Sequence, residues 1–233
     1  MNNRILYISL GLNILLSVWL IYFIVTPHSS SSATIDAIES SEIMPRKIFN
    51  DRLNEGDLLF LGADRVFACD WNSLLGVRNI CNAALPSNSI KADYDRIELM
   101  LDGIVPNQVF MMYGETELLA NKSVNEIVDD YKMLISRVKT LLPYTEIVVL
   151  SPIPLSYYEV EDNKIEFSKN FKALGLMLNL AMKDMAVSYV NMEGDFLGGD
   201  DFLDANFRAK DKLKINAKAY AVIKGRIMPY MTH

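Results

Sequence analysis

The chain has 233 residues, 51% of them apolar, with 23 basic against 29 acidic residues and a formal net charge of −6. That length suits one ordinary α/β domain with an appendage. No basic stripe interleaved with aromatics occurs, which argues against nucleic acid as a partner.

The first element is a run of 21 residues without a charge, "ILYISLGLNILLSVWLIYFIV", positions 5–25. At the rise of a helix such a run covers about 30 Å, the hydrocarbon thickness of a bilayer. It exceeds the apolar core of a cleaved signal peptide, so it reads as an uncleaved anchor. The small residues of "HSSSSATIDA" leave cleavage near Ala33 as the alternative. Arg4 precedes the span and no Lys or Arg follows before Arg46. The charge rule for membrane spans then keeps the N-terminus in the cytoplasm and exports the body. The expectation is a single-pass protein of a bacterial inner membrane with a periplasmic domain. Asn13, at mid-membrane, would favour a helix partner.

Residues 1–27 thus form a cytoplasmic tip and anchor, 28–56 a serine-rich linker and approach segment, and 57–233 the exported domain. A short helix around Pro45–Asn54 fits the approach segment. From Asp57, short apolar runs alternate with amphipathic stretches, the pattern of a parallel α/β sheet. The runs are 58–62, 78–82, 107–113, 145–150 and 187–191.

Between the third and fourth runs, Ser123 and Glu126 form a capping-box pattern. Val124, Ile127, Val128, Tyr131, Leu134, Ile135 and Val138 then repeat at helical spacing. A second long helix is expected over Phe167–Met185, with Met177, Met182 and Met185 as core filler. A last one starts at the cap Asn216 and ends near Met228, before Pro229. The expected architecture is a three-layer α/β/α sandwich with a five-stranded parallel sheet, preceded by one transmembrane helix. Cys69 and Cys81 lie in the exported part, where a disulfide is permitted but two buried thiols serve equally well.

In such sheets, sites form beyond the carboxyl ends of the strands. There the sequence carries "FLGADRVFACDWNSLL", "NICNAAL", "VFMMYGETEL", "SPIPL" and "DKLKINAKAY". These blocks, in this order, resemble those of the SGNH (GDSL-type) hydrolase family over about residues 56–231. The resemblance implies the family's three-layer fold and places its functional positions one by one. The nucleophilic serine falls at Asp64, the oxyanion glycine at Ala84, the oxyanion asparagine at Thr116 and the histidine base at Lys214. The aspartate three residues before the base is retained as Asp211.

Hydrolysis by such a triad requires a nucleophile and a base that takes its proton. Both are replaced, and the two histidines, His28 and His233, lie outside every block. Lys214 as a base would need a strongly lowered pKa, and its expected neighbours Asp64 and Asp211 are anions. Shifting the first block by one residue places Arg65, not a serine, at the nucleophile. Ser73 belongs to a short helix, and Ser87-Asn88-Ser89 reads as a turn and cap; Ser87 borders the expected pocket.

The acids of "GDFLGGDDFLD" and the pair Glu115 and Glu117 lack a metal-site spacing, so no metal or cofactor is expected. The leading expectation is a non-catalytic, membrane-anchored domain that binds an envelope glycan or an envelope membrane protein. The contact residues would be Asp64, Arg65, Ser87, Thr116, Tyr157, Tyr158 and Lys214, with Asp64 and Lys214 paired across the former active site. The alternative is an active esterase or acyltransferase acting on envelope polysaccharide or lipid.

Overall fold

The computed structural model describes residues 58–77, 79–211 and 214–231. The anchor, the linker, the helix expected around Pro45–Asn54 and both histidines lie outside these residues. Among the described residues, no helix is long and apolar enough to cross a membrane.

Five parallel strands form one sheet: β1 (Leu58–Gly62), β2 (Ile80–Asn82), β3 (Gln108–Met112), β4 (Glu146–Leu150) and β5 (Ser188–Val190), in the order β2-β1-β3-β4-β5. Central strands read as unbroken apolar runs because both faces of the sheet are covered. Alternate residues point to opposite sides. Leu59, Leu61, Val109, Met111, Ile147 and Val149 pack into one core, against α3 (Ile90–Met100), α5 (Val124–Leu141) and α6 (Lys164–Asp184). Leu58, Phe60, Phe110, Met112, Val148 and Leu150 pack into the other, with α2 (Trp71–Leu75) and α8 (Ala217–Ile227). Three layers result, as expected.

Local signals set the boundaries. The Ser123 hydroxyl accepts from Glu126 N, and Glu126 Oε2 accepts from Ser123 N at 3.0 Å. The six apolar positions from Ile127 to Val138 are buried on α5. Asn216 Oδ1 accepts from Lys218 N and Ala219 N at the start of α8, which ends at Ile227 in a 3-10 turn, Met228–Tyr230. α6 starts three residues before the expected Phe167; the one apolar residue among those three, Ile165, faces solvent and lies off the buried apolar period. Met182 fills the core, whereas Met177 faces solvent, contrary to its expected role as core filler.

The Asp-Trp pair of the first block is structural. Asp70 caps α2 by accepting from Ser73 N at 3.1 Å. Trp71 stacks on Phe60 with ring centres 4.2 Å apart and donates its indole N–H to Val66 O. Cys69 and Cys81 are buried thiols, and burial pushes Cys69 up to about 12, with the Asp70 charge adding to the shift.

Strand order reverses between β1 and β3, because β2 lies on one side of β1 and all later strands on the other. Ligand crevices of open α/β sheets form at such a point, beyond the strand ends. The segments that meet there are α1 (Asp64–Phe67), directly after β1, and α4 (Glu115–Leu119), directly after β3.

Candidate functional site

The backbone at this crevice is built for close approach. A Cβ at Gly62 would stand 2.4 Å from Val66 Cγ2 and 2.7 Å from Met112 O, so only glycine lets β1 turn into α1 against β3. Gly114 turns β3 into α4 at φ +130°, a conformation other residues rarely adopt.

Between α1 and α4 lies a cavity of about 80 Å³ lined by Asp64, Arg65, Glu115, Thr116 and Glu159, among others. It falls well short of the roughly 300–1,000 Å³ of small-molecule sites. The space is filled from within. Arg65 is buried, 8% exposed at its side chain, and Nη2 lies 2.8 Å from both carboxylate oxygens of Glu159. Glu159 is anchored in turn by Ser156 N, which donates to Oε2 at 2.6 Å. Tyr220 of α8 donates its hydroxyl to Arg65 O at 3.0 Å, which fixes α1 against α8.

The acids that flank Thr116 close the same region. Glu115 Oε1 accepts from Ile153 N at 3.2 Å, so α4 is tied to the loop after β4. Burial pushes the Glu115 carboxyl up to about 7 against the opposing pull of the Arg65 charge. Glu117 Oε1 accepts from Ile90 N at 2.8 Å and Oε2 from Gly114 N at 3.1 Å, joining α4 to the start of α3. Its carboxyl is also raised by burial. Behind them, fully buried Asp93 accepts from Asn88 Nδ2, the Tyr113 hydroxyl and Arg96. Asn88 Nδ2 also donates to Gly62 O, and Arg96 Nη2 to Ala83 O. Among the described residues no buried side-chain nitrogen or oxygen lacks a partner. These carboxylates hold the loops at the strand ends together.

The structure brings some expected site residues together and separates others. Asp64, Arg65 and Thr116 line one cavity. Asp64 is exposed, and its Oδ2 accepts from Ser87 N at 2.9 Å. Ser87 therefore contributes its backbone; it sits in a left-handed turn at φ 52° before the α3 cap Ser89. The Ala84 N–H, at the oxyanion glycine's position, donates to Asn82 Oδ1 at 3.2 Å and is engaged within its own turn. Asn82 Nδ2 in turn donates to Val66 O at 2.9 Å, bracing α1.

The expected pair between Asp64 and Lys214 is absent from the ion pairs of the described residues. Lys214 is exposed in a tight turn of its own. Its N–H donates to Asp211 Oδ1 at 3.1 Å and its carbonyl accepts from Ala209 N at 2.7 Å. Asp64 finds its partner in a backbone amide instead, and the buried cation of the site is Arg65. Tyr157 and Tyr158 are 46% and 53% exposed and lie apart from the cavity. The Lys164 ammonium stands 4.5 Å from the Tyr157 ring centre, and the Arg208 guanidinium carbon 5.9 Å from that of Tyr158.

Glu159 was not legible as a site residue. It sits 94 residues from Arg65, just beyond the block "SPIPL", which itself carries no anion. The available signal was Arg65 itself, a cation placed directly after a buried strand, which requires an anion nearby.

No family model and no curated protein matches the chain by sequence. Solved structures do. A candidate platelet activating factor from Streptococcus pneumonia superposes with a TM-score of 0.71 at 18% identity, over 86% of this chain and 99% of that one. A GDSL-like lipase from Bacteroides thetaiotaomicron gives 0.64 at 11% identity, over 75% and 86%. A catalytic mutant of an acetylxylan esterase from Geobacillus stearothermophilus gives 0.57 at 14% identity, over 76% and 95%. At these identities the likeness establishes the fold, that of the GDSL-like lipases and esterases.

Proposed function

We propose that this chain, folded as a GDSL-type hydrolase, is a non-catalytic domain that binds a partner in the cell envelope. The observation that carries the reading is the buried Arg65–Glu159 pair beside Asp64, at the strand end where the family resemblance places the nucleophile. A buried charge is costly unless paired and hydrogen-bonded, so the pair is tied to its place. Aspartate at the nucleophile position and an exposed lysine at the base position leave the residues at hand without the proton transfer that acyl transfer needs. Residues 5–25 tether the domain to the inner membrane and residues 28–56 span the gap to the periplasmic body. The ligand is an envelope glycan or another envelope membrane protein. The esterases and lipases among the similar structures keep acyl-ester hydrolysis as the reading to test against.

The test is turnover of p-nitrophenyl acetate by the purified full chain. We expect none above a protein-free control. Turnover abolished by Asp64→Ala or by Ser87→Ala would establish an active esterase instead. Turnover that survives both substitutions would trace to a contaminant. Protease accessibility in spheroplasts, with the chain retained in the membrane after alkaline extraction, tests the anchor; a soluble mature form starting near Thr34 would replace it with a cleaved signal peptide.

A further inference from the structure

Beside the filled cavity the surface opens into a groove of about 740 Å³. It runs between the turn that joins α4 to α5 and the segment that leads into α6. Leu119 and Glu159 line both spaces, so the groove begins where the closed site ends. Leu118, Val160 and Phe167 are buried residues on its wall.

Four carboxamides line it: Asn121, Asn125, Asn163 and Asn170. None of these side chains hydrogen-bonds to another described residue. Backbone conformation explains two of them, since Asn121 and Asn163 lie at φ 57° and 49° and asparagine visits that region more readily than most residues. It does not explain the others. Asn125 stands in the first turns of α5 and Asn170 within α6, where asparagine is a weak helix former. A carboxamide both donates and accepts, as does a sugar hydroxyl.

The groove of about 740 Å³ is lined by more acids than bases, while the depressions beyond it add Lys164, Lys169 and Lys172. Glu161, Asp162 and Glu166 line it as exposed acids and take part in none of the ion pairs of the described residues. The groove's lysine, Lys122, is bound to Asp130. Such a field repels polyanions while leaving acceptors for hydroxyl groups. The groove also has length. It shares Glu161, Asp162, Asn163 and Asn170 with a depression of about 670 Å³, which shares Lys164, Ile165 and Lys169 with a third of about 520 Å³. Phe167 and Phe202 are buried and stack beneath this path, and Phe202 holds the exposed Tyr157 ring edge-on with centres 5.4 Å apart, so Tyr157 is the ring that offers surface there.

We propose that this trough, lined by four unengaged asparagines and flanked by acids, binds a neutral oligosaccharide. The inference rests on the binding half of the function proposed above and moves the binding site sideways from the filled catalytic position.

The test titrates the full chain in detergent with chitotriose, xylotriose and maltotriose, with trigalacturonate as an anionic probe and trilysine as a cationic one. We expect saturable binding of at least one neutral trisaccharide and none of trigalacturonate. The double variant Asn125→Ala/Asn170→Ala should bind that sugar about ten-fold more weakly or worse, a change of about 1.4 kcal/mol, with an unchanged melting temperature. Failure of all three neutral sugars to saturate the protein would overturn the proposal. So would binding that the double variant leaves intact, or saturable binding of trilysine alone, which would assign the groove to a basic peptide. Ester turnover measured alongside separates the two readings: turnover with sugar binding would undo the non-catalytic reading and keep the groove. Neither turnover nor sugar binding would do the reverse.

Discussion

Two neighbouring stretches of the same row of strand ends have opposite characters. At the ends of β1 and β3 the crevice is reduced to about 80 Å³ and its charged groups are turned inward onto one another. A few residues away, beyond α4, about 740 Å³ lies open, and the four asparagine side chains that line it hydrogen-bond to no other described residue. Wall and boundary are shared, through Leu119 and Glu159. Position at the topological switch point therefore does not make a site available; what decides is where the charges there find partners. Arg65, directed inward from α1, is paired with Glu159 and lies beside Glu115. The Asn125 and Asn170 side chains hydrogen-bond to no other described residue, although each sits in a helix, where asparagine is a weak former.

The comparison breaks most visibly at Glu159. Glu159→Ala leaves a buried guanidinium without its bidentate partner and should destabilise the domain by about 3–5 kcal/mol, read from chemical denaturation. A loss under about 1 kcal/mol would mean that the pair behaves as a surface one. Gly114→Ala should cost about 1–3 kcal/mol, because a φ of +130° is strained for any side chain and the added Cβ would stand 2.8 Å from Leu174 Cδ2. A neutral result would show that the β3–α4 turn can relax.

The closed region should also respond to pH. Burial raises the Glu115 carboxyl from 4.5 to about 7 in the folded state, so between those values the native state binds more protons than the unfolded one. Its contribution to stability is greatest below about pH 4.5 and declines as pH rises to about 7, then stays level. Glu115→Gln keeps an oxygen to accept from Ile153 N, and should flatten that part of the profile and raise the denaturation midpoint at pH 8. An unchanged profile would contradict the assignment. On the exposed surface outside the closed site, the smallest effects are expected. Lys214→Ala and Asn125→Ala should each stay within about 0.5 kcal/mol of the parent, since one side chain is exposed away from Asp64 and the other bonds to nothing described. A large loss in Lys214→Ala would revive the expected pair with Asp64.

Much of the fold was written in local patterns. The apolar runs located all five strands, trimmed at their ends where Asn107, Tyr113 and Asn191 leave the ladder. Ser123, Glu126 and Asn216 marked helix starts because capping is settled within four residues. The site was legible only in part. The resemblance to the family's blocks placed Asp64 and Thr116 at one site, with Arg65 beside Asp64, and these three residues do line one cavity. It could not show that Arg65 would turn inward, or that the anion would come from Glu159, because that pairing is settled in three dimensions. The expected Asp64–Lys214 pair assumed that residues at the positions of a hydrogen-bonded couple remain partners. The 208–216 segment instead closes on itself, through Ala209 N to Lys214 O and the Arg208–Ile215 bridge, and Ser87 N meets Asp64 first.

The most direct test of the closed site is a double-mutant cycle on Arg65 and Glu159, with Arg65→Met, Glu159→Leu and the double variant compared by denaturation. Each single change should destabilise strongly, and the double one should recover most of the loss, because replacing a buried ion pair with apolar residues of similar size is often neutral or stabilising. We expect a coupling of about 2–3 kcal/mol. A coupling below about 0.5 kcal/mol, with the single losses simply adding, would contradict the account: the strand ends of β1 and β3 would then not be held shut by this pair.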